Sequence, residues 1–132
     1  MTESKGRRNL NLYGYKKCST CRQAEKTLRE LGVSVEFHDI VEQPPSETML
    51  SSWLEASQRP ILDFVNTKGT VFRQRSLKDA QFTTEQWIAE IAHDGKLMKR
   101  PILVTEDGTV VIGYQPDLYQ TFAKFETSQS EG

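Results

Sequence analysis

Asn9-Leu10-Asn11-Leu12-Tyr13-Gly14-Tyr15-Lys16-Lys17-Cys18-Ser19-Thr20-Cys21 is the stretch that decides the reading of this chain. Residues 9 to 13 alternate polar and apolar side chains, the period of a strand, and Gly14 follows where the chain has to turn. From Cys21 to Leu31 the apolar residues Ala24, Leu28 and Leu31 recur at helical spacing, and Gly32 supplies the stop. Val33 to Ile40 alternates again. Strand, helix and strand in that order predict a right-handed βαβ unit with parallel strands. The cysteine pair thus falls at a strand-to-helix junction, the context in which C-x-x-C reads as a redox motif.

The physics of that junction assigns different parts to the two sulfurs. Cys18 is placed where unpaired N–H groups and the positive end of the helix dipole favour a thiolate, and Lys16, Lys17 and Arg22 add positive charge nearby. Cys21, one turn further in, is placed to attack a mixed disulfide on Cys18, so it reads as the resolving thiol. Two other readings compete: inert small core residues, and zinc. A structural zinc site needs four ligands, and the only histidines, His38 and His93, have no paired spacing, so no metal is expected. His38 reads as an exposed surface histidine without a role. Trp53 and Trp87 occur at core spacing and read as packing.

Beyond the βαβ unit the pattern turns helical. Ser46 can cap a helix through Leu54 after Pro44-Pro45, a shorter helical piece starts near Pro60, and Thr83 or Thr84 caps a helix running to about Ala92. Pro101-Ile102-Leu103-Val104, the turn Glu106-Asp107-Gly108 and Thr109 to Ile112 predict a hairpin, and a last helix is expected from about Asp117 to Phe125. A proline opening a strand marks an edge or a special turn, and from spacing alone Arg100 before it is equally a site residue or a solvated charge.

The 132 residues suit one domain, expected over 9–125, with 1–8 and 126–132 as flexible termini. The 17 basic and 18 acidic side chains nearly cancel, which points to no direct nucleic-acid and no membrane partner. No stretch approaches the roughly 20 apolar residues of a membrane helix. Two cysteines this close suit a reducing compartment, so a cytoplasmic location is expected.

Four ordered blocks carry a resemblance: residues 15–24 around Cys18-Ser19-Thr20-Cys21, Asn66-Thr67-Lys68-Gly69, Asp94 to Ile102 including Lys99-Arg100-Pro101, and Ile112-Gly113-Tyr114. Over about residues 9 to 122 the chain resembles the arsenate reductase/Spx family. The resemblance implies an α/β, thioredoxin-like fold: a four-stranded mixed sheet with a helical insertion between the second and third strands. It also implies a cis Arg100-Pro101 bond beside Cys18, with the guanidinium of Arg100 directed at the site.

The family's branches imply different functions. Arsenate reductases that draw on glutathione and glutaredoxin use one cysteine and three arginines. By position the cysteine falls on Cys18 and the second arginine on Arg100. The first falls near Asn66 and the third near Gly113 or Tyr114, so arsenate is a poor fit unless Arg73 or Arg75 substitutes. Spx-type regulators keep the C-x-x-C as a switch and bind the RNA polymerase α subunit, while residues 41–46 and 66–69 look closer to an arsenate-reductase-like subgroup. The leading expectation is a thiol-disulfide oxidoreductase working through Cys18 and Cys21. It has no bound cofactor and is reduced by glutathione/glutaredoxin or thioredoxin. The alternative is a redox-sensing transcriptional regulator.

Overall fold

β1 (Asn9–Gly14) is the strand around which the sheet is built. It pairs in parallel with β2 (Ser34–Asp39) and antiparallel with β3 (Ile102–Val104), which pairs antiparallel with β4 (Val110–Ile112). The strand order is therefore β2-β1-β3-β4. The computed structural model describes residues 9–122, so the expected flexible termini, and the expected last helix beyond residue 122, lie outside the described residues.

The alternation along β1 sorts side chains into two cores. Leu10 and Leu12 face α1 (Ser19–Glu30) and join Ala24, Leu28, Val35, Leu103 and, from the helix over 116–122, Tyr119. Tyr13 turns to the opposite face, where Ile40, Trp53, Trp87, Ile91 and Ile102 form the second core. That core is supplied largely by the insertion: α2 (Glu47–Ser57), α3 (Thr70–Gln74) and α4 (Thr84–His93), linked by 3-10 turns at Ile61–Phe64, Leu77–Asp79 and Gly95–Leu97. Full burial of a side chain such as Leu10 or Leu28 on one face, or Ile91 or Ile102 on the other, contributes about 2 kcal/mol each, so both faces hold the strand in place.

Local signals explain most boundaries. Ser46 caps α2 by accepting from the Met49 N–H at 3.1 Å. Thr83, the first of the two candidates, caps α4 in a capping box with Gln86. Gly32 adopts φ +86 past the end of α1. The cysteine pair opens α1 as expected, with Cys18 as its cap. One element was not expected: α3 and the 3-10 turn after it, because residues 66–79 contain no run long enough to show a period.

The insertion is sewn back to the sheet beside β3. The Asn66 N–H donates to the Leu97 carbonyl at 2.7 Å, and the Lys99 N–H donates to the Phe64 carbonyl at 2.8 Å. The Arg100-Pro101 bond is cis, as the resemblance implied, and the buried Pro101 accepts from the Gly113 N–H at 2.8 Å. Gly95 makes this return tight: a Cβ there would stand 1.9 Å from the Ile40 carbonyl oxygen. Gly95→Ala is therefore expected to force two backbone segments apart at a cost of about 3 kcal/mol, lowering Tm by about 10 °C in a thermal melt. An unchanged Tm would mean that this contact is not close in solution.

Candidate functional site

The C-terminal end of β1 turns through Tyr15, Lys16 and Lys17 into α1, and the Cys18 N–H closes that turn on the Tyr15 carbonyl at 3.0 Å. As N-cap, Cys18 has extended backbone (φ −92, ψ 117), and its Sγ accepts from the Cys21 N–H at 3.4 Å. A sulfur thus takes the place that a serine oxygen occupies in an ordinary helix cap. Cys18 is half-buried, Cys21 is fully buried, and both are free thiols. Cys21 fits under the loop because position 14 is glycine: a Cβ on Gly14 would meet its Sγ at 2.8 Å.

The two thiols hold their protons very differently. Burial pushes Cys18 up, but hydrogen bonds from the Cys21 thiol and backbone and from the Arg100 guanidinium outweigh it, leaving Cys18 below the usual thiol value. Burial pushes Cys21 up, its hydrogen bond to Cys18 adds to this, and it reaches about 12. The cation that acts on Cys18 is Arg100, contributed from the segment before β3. This corrects the expectation for Lys16, Lys17 and Arg22. Lys16 instead stands by Asp39, Lys17 is exposed, and Arg22 lies on the outer groove of α1 with Glu25 and Arg29.

Arg100 is held over the Tyr15 ring, 5.5 Å from its centroid, and donates through Nη1 to the Lys96 carbonyl at 3.4 Å. Its Nε is buried and has no hydrogen-bond partner, an orphan donor beside a nucleophilic sulfur. The other expected anion-binding residues have different neighbours. Arg75 pairs with Glu90 of α4 at 2.8 Å, and Arg73 reaches the Lys68 carbonyl at 3.4 Å. Half-buried Asn66 keeps its amide against Gly69, so near that a Cβ there would stand 2.6 Å from Nδ2. Gly113 adopts φ +84, and the Tyr114 hydroxyl bonds Thr27 of α1 at 2.8 Å rather than the site. His38 is not the exposed residue expected: it is half-buried, stacked on Tyr13 at 4.6 Å and bonded to Asn11 at 2.9 Å.

Asp39 went unnoticed in the sequence. It ends β2 opposite Gly14, and its carboxylate accepts from the N–H groups of Val41 (2.9 Å), Glu42 (3.1 Å) and Lys16 (3.4 Å). It therefore ties the loop before Cys18 to the turn after β2. The available signal was an Asp between a strand and a turn, where such side chains cap backbone N–H groups. Its slight burial opposes ionisation, but the Glu42, Val41 and Lys16 N–H groups outweigh this and hold its pKa below the usual carboxylate value.

Two measurements check this picture. In Cys21→Ser, the pH midpoint for alkylation of Cys18 is expected below that of a free thiol, and adding Arg100→Met should move it up; no movement would remove Arg100 from the site. Because the folded-state pKa of Asp39 is depressed, its contribution is present above the unfolded carboxylate value of about 3.9 and is lost as pH falls through the folded value. Asp39→Ala should cost about 1 kcal/mol at neutral pH, as loss of a cap does, and the Tm gap from the native protein should close in acid. A gap that persists at low pH would exclude the ionised carboxylate as its source.

Among the described residues no helix is long and apolar enough to cross a membrane. The ArsC family model matches residues 13–122. YusI of Bacillus subtilis (strain 168) is 36% identical over 114 residues, 85% of this chain and 96% of that protein. The global transcriptional regulator Spx of Streptococcus pyogenes serotype M1 is 25% identical over 114 residues, covering 86% of this chain and 84% of that protein. Among solved structures, a "possible arsenate reductase" from Streptococcus mutans UA159 superposes with a TM-score of 0.73 at 40% identity, over 80% of this chain and 91% of that one. With the cysteine pair on the first βα junction of a thioredoxin-like sheet and a match across nearly all the described residues, the chain belongs to the ArsC family.

Proposed function

We propose that the protein is a thiol-disulfide oxidoreductase. The observation that carries this reading is geometric: the half-buried Cys18 sulfur caps α1 and accepts from the Cys21 N–H, with the buried free thiol of Cys21 one turn further in and Arg100 at the outer sulfur. The Cys18 thiolate attacks one sulfur of a substrate disulfide. A Cys18-substrate mixed disulfide forms, the substrate S–S bond breaks, and the first substrate thiol leaves as a thiolate that takes a proton from solvent. That step removes the charge on Cys18 that had helped to keep Cys21 protonated, so Cys21 loses its proton more easily once it is needed. Its thiolate attacks the Cys18 sulfur, forming the Cys18-Cys21 disulfide and releasing the second substrate thiol. A cellular thiol system then returns two electrons and two protons, either two glutathione thiols with glutaredoxin or the dithiol of thioredoxin. The unpaired Nε of Arg100 is a donor for the polar backbone or the departing thiolate of the substrate.

The same residues make arsenate a poor substrate. Its oxyanion would meet Arg100 and the N–H groups of α1, with Arg75 committed to Glu90 and an amide at Asn66. A second reading rests on the Spx relative: the pair is a switch that is oxidised once and changes affinity for the RNA polymerase α subunit.

Coupled NADPH oxidation through a thioredoxin or glutaredoxin system decides between them. Native protein should turn over a disulfide acceptor repeatedly, Cys18→Ser should abolish turnover, and Cys21→Ser should accumulate the mixed disulfide seen by intact mass. Arg100→Met should slow the reaction about tenfold, since a hydrogen bond to a charged group contributes about 1.5 kcal/mol. With arsenate, turnover should stay far below the ordinary enzyme median of about 10 per second, and Asn66→Arg should raise it without helping disulfide exchange. A single stoichiometric oxidation with no turnover, together with redox-dependent capture of the RNA polymerase α subunit, would replace the enzymatic reading with the regulatory one.

A further inference from the structure

The insertion carries a groove of about 650 Å³ on the face away from α1. The floor is aromatic: Phe72 and Trp87 lie nearly parallel (10°, centroids 6.4 Å apart), and Phe82 meets Trp87 edge-on at 4.9 Å. Leu62, 53% exposed, forms one wall, and among the described residues it is one of two large apolar side chains left so open. Arg73 and Lys78 stand at the rim, and the lining contains no acidic residue although the chain as a whole carries a net charge of −1.

The neighbouring charges sharpen that asymmetry. Asp63, next to Leu62, is paired with Arg59 at 3.2 Å, and Glu90 is paired with Arg75 at 2.8 Å. Arg73 has a backbone carbonyl for a partner, and among the described residues neither it nor Lys78 meets a carboxylate. Ser76, an exposed non-glycine residue at φ +55, also lines the groove. Left-handed backbone of this kind costs about 1 kcal/mol and collects where a structure clamps something.

Concave volume in the range of about 300–1,000 Å³, a largely apolar lining and a few convergent polar groups together describe a small-molecule site. We propose that this groove binds a small aromatic carboxylate, its ring on Phe72, Phe82 and Trp87 and its acid group between Arg73 and Lys78. The aromatic floor, with Phe82 edge-on to Trp87, favours an aromatic body that can pack against ring faces and edges, and two cations without a counter-charge select an anion. The proposal does not depend on the thiol reaction, since none of these residues is part of the Cys18–Arg100 site.

The test is an amide and indole N–H NMR titration of the full chain with 2-naphthoate as the probe, in parallel with neutral 2-naphthylmethanol. Saturable shifts confined to the Trp87 indole and to the amides of Leu62, Thr67, Leu77 and Lys78 are expected, with naphthoate at least tenfold tighter than the alcohol. The surface variant Arg73→Glu/Lys78→Glu, checked for an unchanged Tm, should lose that preference. The alcohol binding as tightly as the acid, shifts centred elsewhere, or no saturation below millimolar probe would each overturn the proposal. So would undiminished naphthoate binding by the double variant. Disulfide turnover measured on the same double variant should match the native rate, which keeps this result separate from that of the thiol assay.

Discussion

The sulfur of Cys18 depends on a backbone constraint at the end of β1. Gly14 has room for a hydrogen and nothing more beside Cys21, and only because of that can the first turn of α1 sit close over the strand. Once it does, the Cys21 N–H points at Cys18 and the buried Cys21 thiol becomes its second donor. The same strand is bonded on both edges, to β2 and to β3, so it also fixes where Asp39 and Arg100 arrive. A low-energy thiolate is thus the outcome of sheet register as much as of the C-x-x-C spacing.

How much of this was legible depends on whether the cause was local. The βαβ unit, the caps at Ser46 and Thr83 and the Asp-Gly hairpin rest on residues a few positions apart, and the chain carried those signals openly. The paired cysteines at a strand-helix junction were legible for the same reason. What sequence proximity misjudged was charge. Lys16, Lys17 and Arg22 are near Cys18 along the chain, yet the cation that reaches its sulfur comes from the far side of the insertion, while Arg75 is drawn off by Glu90. Asp39 was hidden because its partners are backbone N–H groups, which every residue has and no motif records. The short helix α3 was hidden because five residues show no period.

The two faces of the sheet have divided the work. One core, with α1 and Tyr119, backs the redox pair, and Thr27 and Tyr114 lock that layer across its surface. The other core carries the insertion, which adds a large aromatic interior and an outer groove but supplies no group to Cys18 before the segment leading to Arg100. The cysteine pair and the outer groove therefore lie on separate structural layers, joined through β1.

The meeting of Gly95 with the Ile40 carbonyl gives that division a topological meaning. The chain leaves the sheet after Ile40 and comes back to the same atom at Gly95, so everything between is a closed excursion whose two ends are pinned together. Lengthening such an excursion adds little to the entropy of closing it, because closure cost grows only logarithmically with length. Its exposed faces and loops can be lengthened or resurfaced while the buried residues of its helices keep the second core, and Asp39 at its departure and Arg100 at its return keep their stations around Cys18. The fold thereby keeps the surroundings of Cys18 fixed while the outer surface of the insertion is free to vary without shifting the sulfur.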